Sequence, residues 1–149
     1  DNFFDPFVSN LNIKKNIVSI IFIFDQQNRV LMQLRDNKPE ISCPNMWGPV
    51  GGHCKKLETS YECCLRELKE ETGYTANNIN WYKNFFIESN KLINNKEHYV
   101  SIFWTDYDIK QKIKCYEGQE MRFLYLAELE RLNTLRHNIS WISDIISRK

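Results

Sequence analysis

The chain has little of what marks membrane, nucleic-acid-coating or disulfide-stapled proteins. No apolar run approaches the roughly 20 residues of a membrane-spanning helix; the longest, IVSIIFIF at 17–24, has the length of a strand. Charge of one sign is also lacking: 20 Lys and Arg face 19 Asp and Glu, a net charge of +1. That leaves no basic face for general nucleic-acid binding. The five cysteines, at 43, 54, 63, 64 and 115, form neither paired CxxC clusters nor a regular framework. Free thiols in a reducing compartment fit them better than disulfides or zinc. The stretch before the first apolar run is not expected to act as a leader. These absences lead to the expectation of a soluble, cytoplasmic protein, monomeric or homodimeric, without a membrane partner.

What is present suits one globular domain. The 149 residues can bury roughly 68–70% of their unfolded surface without staples. Phe3, Phe4, Pro6 and Phe7, scattered without a period, mark 1–14 as an N-terminal arm before a domain at 15–149. The β-branched run Ile17, Val18, Ile20, Ile21 and Ile23 predicts a buried central strand over 16–24. Turn residues at 25–28 close it, and 29–34 returns as the second strand of a hairpin. Residues 35–50 and the following Gly51-Gly52 read as a loop over a site, because paired glycines admit a ligand where a Cβ would obstruct it. Two antiparallel strands are predicted at 79–88 and 98–107, separated by a polar stretch with Asn94-Asn95. A polar loop at 109–118, a strand at 121–126 and a helical turn at 127–132 follow. The last helix, over 139–146, places Ile139, Ile142, Ile145 and Ile146 on one stripe.

The chemistry concentrates in Gly51 to Tyr74, GGHCKKLETSYECCLRELKEETGY. Thr59 or Ser60 can cap a helix that Gly73 ends, and residues 61, 64, 65 and 68 form its apolar stripe. Glu67, Glu70 and Glu71 share another face at separations of three and four. Three like charges this close repel one another, so the face is either solvated or completed by a divalent cation. Gly51-Gly52, Glu58 and Arg66 at their spacings favour the cation, with Mg2+ preferred and Mn2+ possible as hard, oxygen-seeking ions. Arg66 can pair with Glu70 at i+4 or with Glu58 across the loop.

Gly52, five residues, Glu58, seven residues, then Arg66-Glu67-Leu68-Lys69-Glu70-Glu71-Thr72-Gly73-Tyr74 resembles the Nudix box, GX5EX7REUXEEXGU, at every charged and glycine position. Only the final position departs, with Tyr74 where an aliphatic residue is usual. The resemblance implies an α+β fold, an α/β/α sandwich with a mixed sheet between helices. It also implies Mg2+-dependent hydrolysis of a phosphoanhydride in a nucleoside di- or triphosphate derivative, a small-molecule substrate. It makes Glu67, Glu70 and Glu71 metal ligands, Glu67 the first choice for deprotonating water, Gly51 a backbone-carbonyl ligand, and Glu58 with Arg66 the brace of the loop and helix.

Glu117-Gly118-Gln119 resembles the EGQ segment of MutT-like nucleoside triphosphate pyrophosphohydrolases, which would make Glu117 a further ligand or base, with Glu120 its rival. In the same branch Arg35 matches a residue that meets substrate phosphate, and Asn138 aligns with an asparagine that reads the base. Gly52 and His53 adjoin the phosphate region, where His53 either touches phosphate or caps the loop; Trp47, Phe85, Phe86 or Phe103 could stack on a base. The MutT-like version converts a nucleoside triphosphate, oxidised purine nucleotides first, to monophosphate and pyrophosphate. A nucleotide-sugar, dinucleotide or capped-RNA pyrophosphohydrolase is the alternative on the same fold. A non-catalytic nucleotide-sensing domain is the alternative of another class, and the intact acidic set argues against it.

Overall fold

The IVSIIFIF run forms β1 (Ile17–Phe24) and lies at the centre of a seven-stranded mixed sheet in the computed structural model, which describes residues 6–7, 16–91 and 96–149. Most of the arm at 1–14 and the Asn94-Asn95 stretch lie outside the described residues. The run is continuous because β1 is covered on both faces. Ile20, Phe22 and Phe24 join one apolar cluster, and Ile21 and Ile23 join the other. Phe22 and Phe24 are wholly buried, and each such side chain contributes about 1.5–3 kcal/mol over leaving it in water.

The remaining elements are β2 (Val30–Leu34), β3 (Trp47–Gly48), β4 (Val50–His53), α1 (Ser60–Thr72), β5 (Asn80–Ile87), β6 (His98–Asp106), β7 (Glu120–Leu124), α2 (Leu126–Leu129) and α3 (Arg136–Arg148). The strand order is β3-β2-β1-β6-β5, with β4 also paired to β1 and β7 to β2. The β1–β6 pairing is parallel and the others are antiparallel. One cluster holds Trp141, Ile142 and Ile145 of α3, and the other Cys64 and Leu68 of α1. Helices therefore cover both faces, the α/β/α arrangement expected.

The glycine-rich segment differs from the expectation of a plain loop. Residues Val18 to Ile21 of β1 pair with His53 to Val50, so 50–53 is a strand, while β2 meets β1 at Phe24 opposite Val30. Two strands thus share one edge of β1, and the sheet splays between them. Backbone pairing with a neighbouring strand makes this strand without the β-branched residues a sequence pattern depends on. A Cβ at Gly51 would run into the Ser19 carbonyl, so the close approach requires glycine.

Helix α1 has the limits that its sequence predicts. Thr59 accepts from the Glu62 N–H while the Glu62 carboxylate accepts from the Thr59 N–H, a reciprocal cap worth about 1 kcal/mol. Gly73 ends the helix at φ 77°. Two carbonyls at this end are taken by the 109–118 loop: Lys114 N–H donates to Thr72 O at 3.0 Å and Tyr116 N–H to Glu71 O at 2.9 Å. The last helix is longer than predicted, and Trp141 and Asn138 join Ile142 and Ile145 on its buried side.

Candidate active site

The cap and the apolar stripe of α1 fix its rotation. Cys64 and Leu68 face the sheet, which carries Glu71 inward to 3% exposure and leaves Glu70 outside, with its side chain 55% exposed. Glu67 stands between them, half-buried over β4. A Cβ on Gly52 would lie 2.5 Å from the Glu67 carboxyl carbon, so the glycine makes room for that carboxylate. Glu117 arrives from the loop before β7. Carboxylate oxygens of Glu67, Glu71 and Glu117 all lie within 4.8 Å of one another. Glu70 is not in this group; its carboxylate takes Arg66 Nη1 at 3.2 Å.

Arg66 organises the outer side of the group. Its Nε and Nη2 donate to Glu58 Oε2 at 2.7 Å and Oε1 at 2.9 Å, and Nη1 donates to Glu67 Oε1 at 2.9 Å. Nη2 also reaches the His53 carbonyl at 3.1 Å, and Glu58 accepts the Lys55 N–H at 3.0 Å. Loop, helix and Glu67 are thereby held by one guanidinium. It keeps the Glu58 carboxyl below its ordinary range, chiefly through that hydrogen bond.

The opposite holds inside. Burial, then the negative charges of Glu117 and Glu67, push Glu71 up to about 9, and the Gly51 N–H at 3.1 Å offsets this only in part. Glu67 is raised too, by burial, against the pull of Arg66. Three converging carboxylates with this mutual repulsion, and the Arg66 guanidinium bound to one of them, fit a hard divalent cation with oxygen ligands. Gly51 is placed at the group, its N–H directed to Glu71.

Beside the carboxylates opens a cavity of about 410 Å³. Its polar lining includes Gly52, His53, Lys55 and Arg35; the Arg35 guanidinium is propped on the Ser42 carbonyl at 2.8 Å. Trp47, Met46, Leu135, Asn138 and Trp141 also line the cavity. Asn138 is 3% exposed and donates from Nδ2 to Thr134 Oγ1 at 3.3 Å. Of the aromatic candidates for stacking, Trp47 lines the cavity, Phe103 is wholly in the core, and Phe85 packs edge-on against Trp141 with ring centres 5.1 Å apart. Glu120 pairs with Arg122 at 3.2 Å and is not in the carboxylate group.

Sequence reasoning passed over His98 and His137. His98 lies 5.5 Å from His53, ring to ring, and His137 lies 4.5 Å from Trp141. Burial lowers the pKa of all three histidines, so they stand neutral around the cavity near pH 7. A single histidine in a strand or at a helix start carries no periodic signal, and only tertiary packing shows which way it faces.

A splayed mixed sheet between helices, with three carboxylates converging beside a nucleotide-sized cavity, defines an α/β/α domain built around a candidate cation centre. The chain belongs to the Nudix hydrolase family: residues 14–144 match the NUDIX domain. Among curated proteins it is similar to the m7GpppN-mRNA hydrolase NUDT17 of Xenopus laevis, 34% identical over 64 residues. It is likewise similar to the asymmetrical bis(5'-nucleosyl)-tetraphosphatase of Mus musculus, 34% identical over 86 residues. Those matches take in 43% and 55% of this chain, which spans 22% and 57% of the relatives' lengths. The MutT protein of Methanosarcina mazei Go1 shares the fold with a TM-score of 0.74 at 20% identity, over 93% of this chain and 100% of that one. No helix among the described residues is long and apolar enough to cross a membrane.

Proposed function

We propose that the protein hydrolyses a phosphoanhydride bond in a nucleoside polyphosphate with Mg2+, or Mn2+ in its place, held by Glu67, Glu71 and Glu117. The observation that carries this reading is the convergence of those carboxylates within 4.8 Å in the lining of the cavity. When bound, the cation supplies charge neutralisation at the phosphate oxygens. Among the lining residues, Arg35, Lys55 and His53 have the chemistry to receive the phosphates, and Trp47, Asn138 and Trp141 that to receive the base. An amide offers a donor and an acceptor side by side, as a purine edge requires. Glu67, raised by burial and oriented by Arg66, is suited to take a proton from the attacking water. Glu70, exposed and one turn from Arg66, joins the group by rotating its side chain or serves as the outer partner of that arginine.

The first form of the reading is a nucleoside triphosphate, oxidised purine nucleotides included, cleaved to monophosphate and pyrophosphate. The second has a specific observation in its favour: the two curated relatives named above bear names that describe substrates with nucleosides at either end of a phosphate chain. Incubation with Mg2+ and a panel of triphosphates, dinucleoside polyphosphates, capped RNA and nucleotide sugars separates the forms. Monophosphate plus pyrophosphate from triphosphates alone supports the first. Turnover confined to bridged substrates supports the second, and turnover of none in the panel sinks both.

A further inference from the structure

Gln33 is out of character for its strand. The other residues of β2 are Val30, Leu31, Met32 and Leu34, yet Gln33 sits among them at 2% exposure. A buried amide must find partners or cost stability. Its Nε2 donates to the backbone carbonyl of Glu117 at 2.7 Å, across 84 residues of sequence. The neighbouring contacts press the same loop onto β2. Gly118 has φ 83°, and a Cβ there would meet the Leu34 carbonyl at 2.8 Å and Gln33 Cγ at 2.9 Å. Gln119 N–H donates to that Leu34 carbonyl at 2.8 Å, and its side-chain amide bridges the Arg35 carbonyl at 2.8 Å and Asn45 Oδ1 at 2.9 Å.

We infer that Gln33 is a positioning residue for the cation site: by holding the Glu117 carbonyl it sets where the Glu117 carboxylate stands relative to Glu67 and Glu71. The inference rests on the reading above, in which Glu117 belongs to that site. Glu117 is exposed, on a loop, and its backbone is anchored through this amide. Removing the amide takes the side-chain donor from the Glu117 carbonyl, while the bonds of Lys114, Tyr116 and Gln119 still tie down the rest of the loop and all three carboxylates stay in the chain. Partners that orient a metal-binding group typically govern affinity by about 10–100-fold.

The test measures Mn2+ binding by calorimetry on the full chain, stripped of metal and without nucleotide, for wild type, Gln33→Met, Glu117→Gln and the double variant. Met keeps the length of the side chain and loses the donor. Each single variant is expected to weaken Mn2+ binding by about tenfold, and the double variant to bind no more weakly than Glu117→Gln, since both act through one carboxylate. If Glu117→Gln weakens binding and Gln33→Met does not, the positioning role is wrong while the site stands. Additive effects in the double variant also overturn the inference, because Gln33 would then act apart from Glu117. Unchanged binding by Glu117→Gln removes Glu117 from the site and overturns the underlying reading. Should Gln33→Met fail to fold, Gln33→Asn is read in its place, being one methylene too short to reach the carbonyl.

Discussion

Arg66 holds Glu58 through two nitrogens, Nε to Oε2 at 2.7 Å and Nη2 to Oε1 at 2.9 Å, and its third nitrogen steadies Glu67. A planar fork makes these contacts together, whereas an ammonium is a point charge that satisfies one partner at a time. Arg66→Lys is therefore expected to lower kcat/KM by about 10–100-fold with the charge retained. Steady-state kinetics on the best substrate checks it; activity within about twofold of wild type would show that the fork has no part in placing Glu67.

Glu67, Glu70 and Glu71, the three helix glutamates of the box, are expected to differ. Glu67 and Glu71 lie in the converging group, while Glu70 is outside it and exposed. In Mn2+ titrations Glu67→Gln and Glu71→Gln should each weaken binding more than Glu70→Gln. Equal losses at all three would mean that Glu70 turns inward when the cation binds.

Glu71 gives the metal-free protein a pH dependence of definite sign. Its pKa rises on folding from an ordinary 4.5 to about 9, so the folded state favours the protonated form. The stability this confers is fully present below about 4.5 and is lost as pH rises toward about 9. Glu58 works in the other direction: its depressed pKa gives stability that is present above the ordinary carboxylate range and lost as the solution is acidified. In chelator, Tm should fall from about pH 7 toward 9, and Glu71→Gln should flatten that fall. That window lies above the range in which the three histidines, whose lowered pKa works in the opposite direction, change charge. A Tm that rises with pH over that window in wild type would contradict the placement of Glu71.

Gly52→Ala should separate folding from function. The added Cβ meets the far end of the Glu67 side chain at 2.5 Å, which can swing away. Tm in chelator is expected to change little, while Mn2+ binding weakens several-fold because Glu67 has left its place. A large loss of Tm with intact Mn2+ affinity in the folded fraction would refute this account.

Much of this was legible in the chain itself because it is local. Thr59 and Gly73 bound α1 by capping chemistry, and the burial of β1 on both faces follows from its own run of Ile and Phe. What the pattern could not show depends on partners distant in sequence. Counting by threes and fours put Glu67, Glu70 and Glu71 on one face, but the packing of Cys64 and Leu68 on the sheet buries Glu71 and exposes Glu70. The strand at 50–53 owes its form to pairing with β1, and Gln33 looks like any polar residue until the loop 84 positions away closes on it.

The hydrogen bonds from Lys114 and Tyr116 to the last carbonyls of α1 bind two parts of the site into one cooperative unit. The loop that presents Glu117 also finishes the helix that presents Glu67 and Glu71, so the loop cannot detach without leaving those carbonyls bare. In hydrogen exchange the amides of 114–116 should open together with the last turn of α1, at a higher free energy than an ordinary surface loop. The three carboxylates would then assemble and come apart together, and the cation would meet either a formed site or none.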